Sequence, residues 1–242
     1  MIPVLGIPYF NRPDLLLRCL DSIDHPVGRV VLVMNGGPRD QVPTIIRAEA
    51  FHHPQVGAFD YLWHRNAGVA GAWNEIIKLF PADWWLLANN DIQFSPGDLG
   101  RLAEAVCKTD CACAYGNHGA SWFGVTAPGI HAVGLFDENI FPAYLEDCDW
   151  SYRCDLLGKR RITVEGCSSV HGDGRQSGSC TVNATPELQK KNCRTHSGNF
   201  NYYRNKWGGI NGQEQFKTPF NDPHWPVWAW RFEPGIRAAQ QW

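Results

Sequence analysis

The chain has 242 residues, enough for one α/β domain with a large core. Its 22 Lys and Arg against 24 Asp and Glu give a net charge of -2, without the basic excess of a general nucleic-acid binder. No stretch reaches the roughly 18 apolar residues of a membrane span, and Met1-Ile2-Pro3-Val4-Leu5-Gly6 does not read as a signal peptide.

In chain order, residues 3–8 predict a short buried strand, and Pro13 suits the first turn of the helix that follows. Leu15, Leu16, Cys19, Leu20 and Ile23 have helical spacing over 14–23. Residues 29–34 predict a second buried strand, stopped by Asn35-Gly36-Gly37-Pro38. A weaker strand at 59–63 leads to a turn at Asn66-Ala67-Gly68 and a helix over 70–80, ended by Pro81-Ala82-Asp83. Trp84 to Ala88 reads as a fourth strand, with Asn89-Asn90-Asp91 at its C-terminal end, and 98–107 as a further helix. Beyond it, strands are expected at 111–115 and 122–127, and a helix at 146–157 with Gly158 as its stop. A strand is expected at 161–164 and a mobile Gly/Ser/Thr-rich loop at 172–186, and the last 37 residues, rich in Pro, Gly and Trp, read as a tail wrapping the domain.

Alternation of strand and helix implies an α/β fold with a mainly parallel central sheet covered by helices on both faces. Ligands bind such sheets outside the carboxyl ends of the strands. The polar clusters at 9–12, 35–37, 66–68 and 89–91 all fall at that edge.

Nine cysteines, an odd number without framework spacing, suggest free thiols in a reducing cytoplasm. Cys107, Cys111 and Cys113 with His118 lack the paired knuckles of a zinc site, which favours buried thiols. The 11 tryptophans suit sugar faces and also fill cores.

Three groups at the strand ends carry candidate chemistry. Asp91 can hold a hard cation against phosphate oxygens; the alternative is an ordinary Asn/Asp turn. Glu146-Asp147-Cys148-Asp149 opens a helix, where acids also suit the helix dipole and cap; the functional alternative is a general base. His171 is either a packed histidine or the second ligand of a metal site begun by a carboxylate. Gly172, Gly174 and Gly178 have the wrong spacing for a dinucleotide fingerprint.

Several of these segments stand in one order: Pro8-Tyr9-Phe10-Asn11-Arg12-Pro13, Val33-Met34-Asn35-Gly36, Asn66-Ala67-Gly68-Val69-Ala70-Gly71-Ala72-Trp73-Asn74 and Asn89-Asn90-Asp91. Val133-Gly134-Leu135-Phe136-Asp137-Glu138, Tyr144-Leu145-Glu146-Asp147-Cys148-Asp149, His171 and Tyr202-Tyr203-Arg204-Asn205-Lys206-Trp207-Gly208-Gly209 follow. Together the chain resembles GT-A-fold inverting glycosyltransferases of family 2, in particular rhamnosyltransferase-like members, over roughly residues 2–209. The resemblance implies transfer of a hexosyl or deoxyhexosyl group from a nucleotide-sugar donor to a glycan or other hydroxyl acceptor, with inversion and a divalent metal, Mn2+ or Mg2+. It implies Asp147 as catalytic base and Asp91 with His171 as metal ligands. The donor would be held by Pro8, Tyr9, Asn11, Arg12, Asn35, Asn66, Gly68, Trp73, Asn74, Asn89, Asn90 and Asp91. Trp122, Phe123 and Glu146 would lie on the acceptor side.

Two departures stand out. Met34 replaces the Asp that family members usually place before Asn-Gly, leaving Asn35 to read the nucleobase, and Asn89 replaces the first Asp of the metal triplet. The expected organisation is a catalytic domain over 1–209 and an aromatic tail over 210–242, in which Trp225, Trp228 and Trp230 either stack on an acceptor or pack on the domain. No nucleic-acid partner and no integral membrane segment are expected. The competing functions are a non-catalytic carbohydrate- or nucleotide-binding protein on the same fold and a nucleotidyltransferase.

Overall fold

In a computed structural model, residues 1–36, 44, 52–173 and 180–230 are described. The expectations at Gly37, Pro38, Gly174 and Gly178 and for residues 231–242 lie outside them. A seven-stranded sheet has the order β3-β2-β1-β4-β7-β6-β8. Its parallel half is β1 (Ile2–Tyr9), β2 (Val27–Asn35), β3 (Phe59–His64) and β4 (Trp84–Ala88). β6 (Cys113–Gly116) and β7 (Gly119–Thr126) pair antiparallel, β7 also runs antiparallel to β4, and β8 (Arg161–Thr163) lies parallel to β6. The sheet is mainly parallel, as the alternation of elements predicts.

The strands are apolar on both sides because helices cover both faces. On one face, Leu16 and Leu20 of α1 (Pro13–Asp21) and Leu99 and Leu102 of α3 (Asp98–Lys108) pack against Leu5, Ile7 and Leu32. On the other, Ala72 and Ile76 of α2 (Gly68–Leu79) and Trp150 of α5 (Glu146–Leu156) pack against Val4, Val31 and Val33. Each such Leu, Ile or Val side chain contributes about 1.5–3 kcal/mol on burial. Cys111 and Cys113 join opposite layers, and His118 Nε2 sits 2.7 Å from Ser169 O, so these groups do not converge.

Two helices were not expected. α4 (Ala127–Val133) replaces the end of the strand drawn at 122–127, with Thr126 accepting from Gly129 N at 3.1 Å as its cap. α6 (Pro186–Trp207) runs 22 residues, capped by Thr185 and stopped by Gly208 at φ 72. Its buried face is largely polar, Asn192, Thr195, Asn199 and Lys206 alongside Tyr202, Tyr203 and Trp207, so apolar periodicity misses it. The cap signals Thr185-Pro186 and Thr126-Ala127-Pro128 are legible in the sequence. Among the described residues no helix is long and apolar enough to cross a membrane.

The tail packs on the domain as far as it is described. Gln215 N and Phe216 N donate to Trp207 O, and Tyr152 Oη donates to Phe216 O at 2.8 Å. Trp225 packs at a tilt on Phe220 with ring centroids 5.2 Å apart, and Phe220 meets Tyr202.

Candidate functional site

A cleft of about 400 Å³ opens at the carboxyl edge of the parallel strands. Its walls come from the ends of β1 (Pro8, Tyr9), β2 (Asn35) and β4 (Asn89, Asn90, Asp91), from Asn66 and Trp73, from the entry to α5 (Glu146, Asp147), and from His171. Asp91 and Asp147, 56 positions apart in sequence, thus face one cavity.

Asp91 and His171 meet through backbone pairing. Asp91 precedes β5 (Ile92–Gln93), which pairs antiparallel with β9 (Val170–His171), Ile92 opposite His171. Gly172 N donates to Asp91 O at 2.9 Å and closes the ladder. The two side chains end 3.2 Å apart, His171 Nε2 to Asp91 Oδ1. His171 Nδ1 and Ser121 Oγ are hydrogen-bonded at 3.2 Å, which fixes the ring, while Nε2 is buried with no hydrogen bond of its own. A carboxylate oxygen and an imidazole nitrogen converging from a braced ring fit a divalent cation. Among the described residues no third His, Cys, Asp or Glu joins them, so phosphate oxygens and water would complete the shell.

The base candidate sits on a strained entry. Tyr144 and Leu145, just before α5, have φ of 74° and 77°, a left-handed conformation costing non-glycine residues roughly 1–3 kcal/mol each. The long polar helix α6 holds them there. Asn199 Nδ2 donates to Ala143 O at 2.8 Å and Asn199 Oδ1 accepts from Phe141 N at 3.1 Å. Tyr144 also packs edge-on against His196 at 5.5 Å. Leu145 at the cap position makes no side-chain cap bond, and the Asp147 carboxylate accepts from the backbone at Cys148 in the first turn.

Burial pushes the Asp147 carboxyl above the usual aspartate range. Burial, reinforced by the Asp147 charge, pushes Glu146 well up, and Glu146 Oε2 lacks a hydrogen-bond partner. A carboxyl raised in the fold binds a proton that the unfolded chain has already lost, so its stabilising contribution is present below the unfolded value and lost as pH rises through the folded one. Glu146→Gln is therefore expected to raise the melting temperature at pH 8 and to gain little at pH 4. Melting curves across that range test it, and a gain that does not grow with pH contradicts it.

The donor-side residues divide. Pro8, Tyr9, Asn35, Asn66, Trp73, Asn89, Asn90 and Asp91 line the cleft. Asn35 is not free to read a base through its whole amide: Oδ1 accepts from Ala67 N at 2.7 Å and Nδ2 donates to Gly68 O at 3.1 Å, pinning the turn into α2. Gly68, at φ 74, is required by close approach, since a Cβ would lie 2.9 Å from Phe141. Asn74 is fully buried and tied to Phe136 N and O and to Glu138, so it braces the 136–138 segment instead of touching a ligand. Arg12 pairs with Asp14, and Asn11 Nδ2 donates to Thr181 O, tying the 180–182 turn to β1.

Trp122 and Phe123, expected on the acceptor side, are core residues. Trp122 is fully buried, donates to Asn117 Oδ1 at 3.3 Å and meets Phe94 edge-to-face, while Phe123 packs on Trp73 on the other face of the sheet. Alternation along β7, with helices above and below, puts one ring in each layer. Trp225, Trp228 and Trp230 line neither this cleft nor its neighbour. Sequence reasoning missed Ser121, Thr181, Tyr144 and His196, which do line it. Ser121 lies one position before Trp122, on the opposite side of the pleat, and period-two alternation could have found it.

Among the described residues, three that line the cleft carry a buried polar atom with no hydrogen-bond partner: Trp73 Nε1, Glu146 Oε2 and His171 Nε2. Buried polar groups are nearly always satisfied, so these atoms are open to a polar ligand or to water.

Comparisons with known proteins agree with this architecture. No curated protein matches the chain. Among solved structures, the mannosyltransferase PcManGT from Pyrobaculum calidifontis, in complex with GDP-Man and Mn2+, superposes with a TM-score of 0.57 at 17% identity, over 69% of this chain and 56% of that one. S. aureus TarS 1-349 superposes with a TM-score of 0.55 at 15% identity, over 70% of this chain and 59% of that one. The chain thus spans under three-fifths of either structure, and at these identities they establish the GT-A fold alone. Residues 5–125, which carry β1 to β7 and the Asp91 triplet, match the model of glycosyl transferase family 2, and the chain belongs to that family.

Proposed function

We propose that the protein transfers a hexosyl or deoxyhexosyl group from a nucleotide-sugar donor to an acceptor hydroxyl, with inversion. The observation that carries this reading is the placement of Asp91 with His171 and of Asp147 as walls of one cleft. The Asp147 carboxylate takes the proton of the acceptor hydroxyl. The freed oxygen bonds to the anomeric carbon as the bond to the diphosphate oxygen breaks on the opposite face, and a nucleoside diphosphate leaves. A divalent cation held by Asp91 and His171, Mn2+ or Mg2+, would neutralise charge on that diphosphate when bound. Trp73 and Tyr9 wall the donor side, and residues 1–209 act as the catalytic domain with the tail packed on it.

A nucleotidyltransferase would use the same edge and cation but release pyrophosphate. Incubation with UDP-, GDP- and dTDP-sugars and Mn2+ is expected to release nucleoside diphosphate slowly without acceptor. Pyrophosphate as the product, or no turnover of any donor, contradicts the proposal. A merely binding protein on this fold would bind the nucleotide sugar and release no nucleoside diphosphate.

A further inference from the structure

A second cavity, of about 480 Å³, adjoins the first and shares Ala120, Asp147 and Cys148 with it as common walls. Asp147 therefore stands between the two, with the cation residues Asp91 and His171 lining only the first. This lining comes from the end of β6 and the β6–β7 turn, one side of α5 from Asp147 to Asp155, β8 and the turn after α6. It mixes small apolar walls, Ala120 and Cys148 among them, with the rings of Tyr115 and Tyr152 and with hydroxyls that keep hydrogen-bonding capacity. Tyr115 and Ser151 share one bond between them, and Tyr152 donates to Phe216 O and can still accept.

Its charge is one-sided. Asp147, Asp155 and Glu214 line it, and Arg161 is the one Lys or Arg among its walls. Arg161 is already held by Asp155, with Nη2 at 2.7 and 2.8 Å from the two carboxylate oxygens. An anion entering here meets carboxyl groups and a guanidinium that is already paired, and gains nothing for the water it gives up. A neutral sugar meets hydroxyl-binding acceptors and donors with tyrosine rings beside them.

We propose that this second cavity is the acceptor pocket and that it selects neutral sugars over phosphorylated or carboxylated ones. The inference rests on the glycosyl-transfer reading above and names its acceptor class. A hydroxyl presented from this side gives its proton to Asp147 while its oxygen bonds to the anomeric carbon in the first cleft. The bond to the diphosphate oxygen breaks, and the nucleoside diphosphate departs on the cation side.

Saturation-transfer NMR on the full chain, with Mg2+ and a nucleoside diphosphate bound, tests this. The probes are methyl glycosides of glucose, mannose, galactose and rhamnose against methyl glucuronide and glucose 6-phosphate. At least one neutral glycoside is expected to show transfer and both anionic sugars none. Asn211→Trp, at an exposed turn position lining the pocket, should abolish the neutral signal and leave the nucleotide-induced melting shift unchanged. Thr163→Trp, an exposed position on the β8 wall, serves as the second plug. Binding of the anionic sugars, a neutral signal that survives both plugs, or no sugar signal beside an intact nucleotide shift overturns the pocket assignment. Absence of any nucleotide shift in the wild type overturns the parent reading, and this one with it.

Discussion

Asp147→Asn is expected to slow glycosyl transfer by roughly 10²- to 10⁴-fold, the usual worth of a positioned general base. The amide keeps the shape of the carboxyl and can still accept from the backbone at Cys148, so the helix start should survive. It cannot take a proton from an incoming hydroxyl. Nucleotide binding should change little, because Asp91 and His171 hold the other end of the cleft. A base works in its ionised form, and burial raises the Asp147 carboxyl. The acid limb of the wild-type rate profile should therefore lie at higher pH than an ordinary aspartate would place it, and should vanish from the residual rate of the Asn variant. Initial rates across pH for both proteins check this. Wild-type transfer by Asp147→Asn removes the base assignment.

Lys206→Met is expected to destabilise the fold by about 3–5 kcal/mol, the cost of stripping one partner from a buried ionic cluster. Lys206 Nζ lies 2.7 Å from Asp137 Oδ2 and 2.6 Å from Asp149 Oδ1, and all three side chains are at most 1% exposed. Arg153 and Trp207 Nε1 also bind Asp149, and Tyr202 Oη donates to Asp137. Burial alone would push the Asp149 carboxyl up, but Lys206 and Arg153 outweigh it and hold it below the usual range. Met fills similar volume but leaves Asp149 with Arg153 and leaves Asp137 buried with uncharged donors, Tyr202 Oη and Asn139 N. Against a typical total of about 5–15 kcal/mol, the loss should move the urea midpoint far at unchanged slope. A shift worth less than about 1 kcal/mol would mean that water or rearrangement compensates the charges. The cluster also joins α5 to α6, and Asp149 lies two residues beyond Asp147, so the folded fraction of the variant should also transfer more slowly.

How far the sequence carried this picture follows from where its information is local. β4 was legible to the residue over 84–88, because Trp84-Trp85-Leu86-Leu87-Ala88 is a continuous apolar run between a Pro-Ala-Asp stop and an Asn pair. The strand-end clusters were legible for the same reason, and parallel pairing brings those ends to one edge. α6 was not, since most of its buried positions before Tyr202 are polar, Asn192 and Asn199 reaching the 137–144 segment, and hydrophobic spacing cannot register a face built of Asn and Thr. The Asp91–His171 contact depends on two strands of two residues each, below the length at which alternation carries a signal. Trp122 was misplaced because an aromatic near a motif reads equally as core or as sugar platform. The pleat and Gly116, where a Cβ would collide with the indole, decide for core.

In the proposed reading Asp91 with His171 grips a cation at the donor end of the cleft that Asp147 serves at the acceptor end. Melting temperature measured with UDP, GDP and dTDP, with and without Mn2+, on wild type, Asp91→Asn and Asp147→Asn tests it most directly. A ligand at a hundredfold excess over its Kd stabilises by about 2.7 kcal/mol, a readily seen shift. At least one nucleotide should raise the wild-type melting temperature only with Mn2+, the shift should disappear in Asp91→Asn, and it should persist in Asp147→Asn. A metal-dependent shift that survives Asp91→Asn, or one that disappears with Asp147→Asn, contradicts the assignment of the two ends.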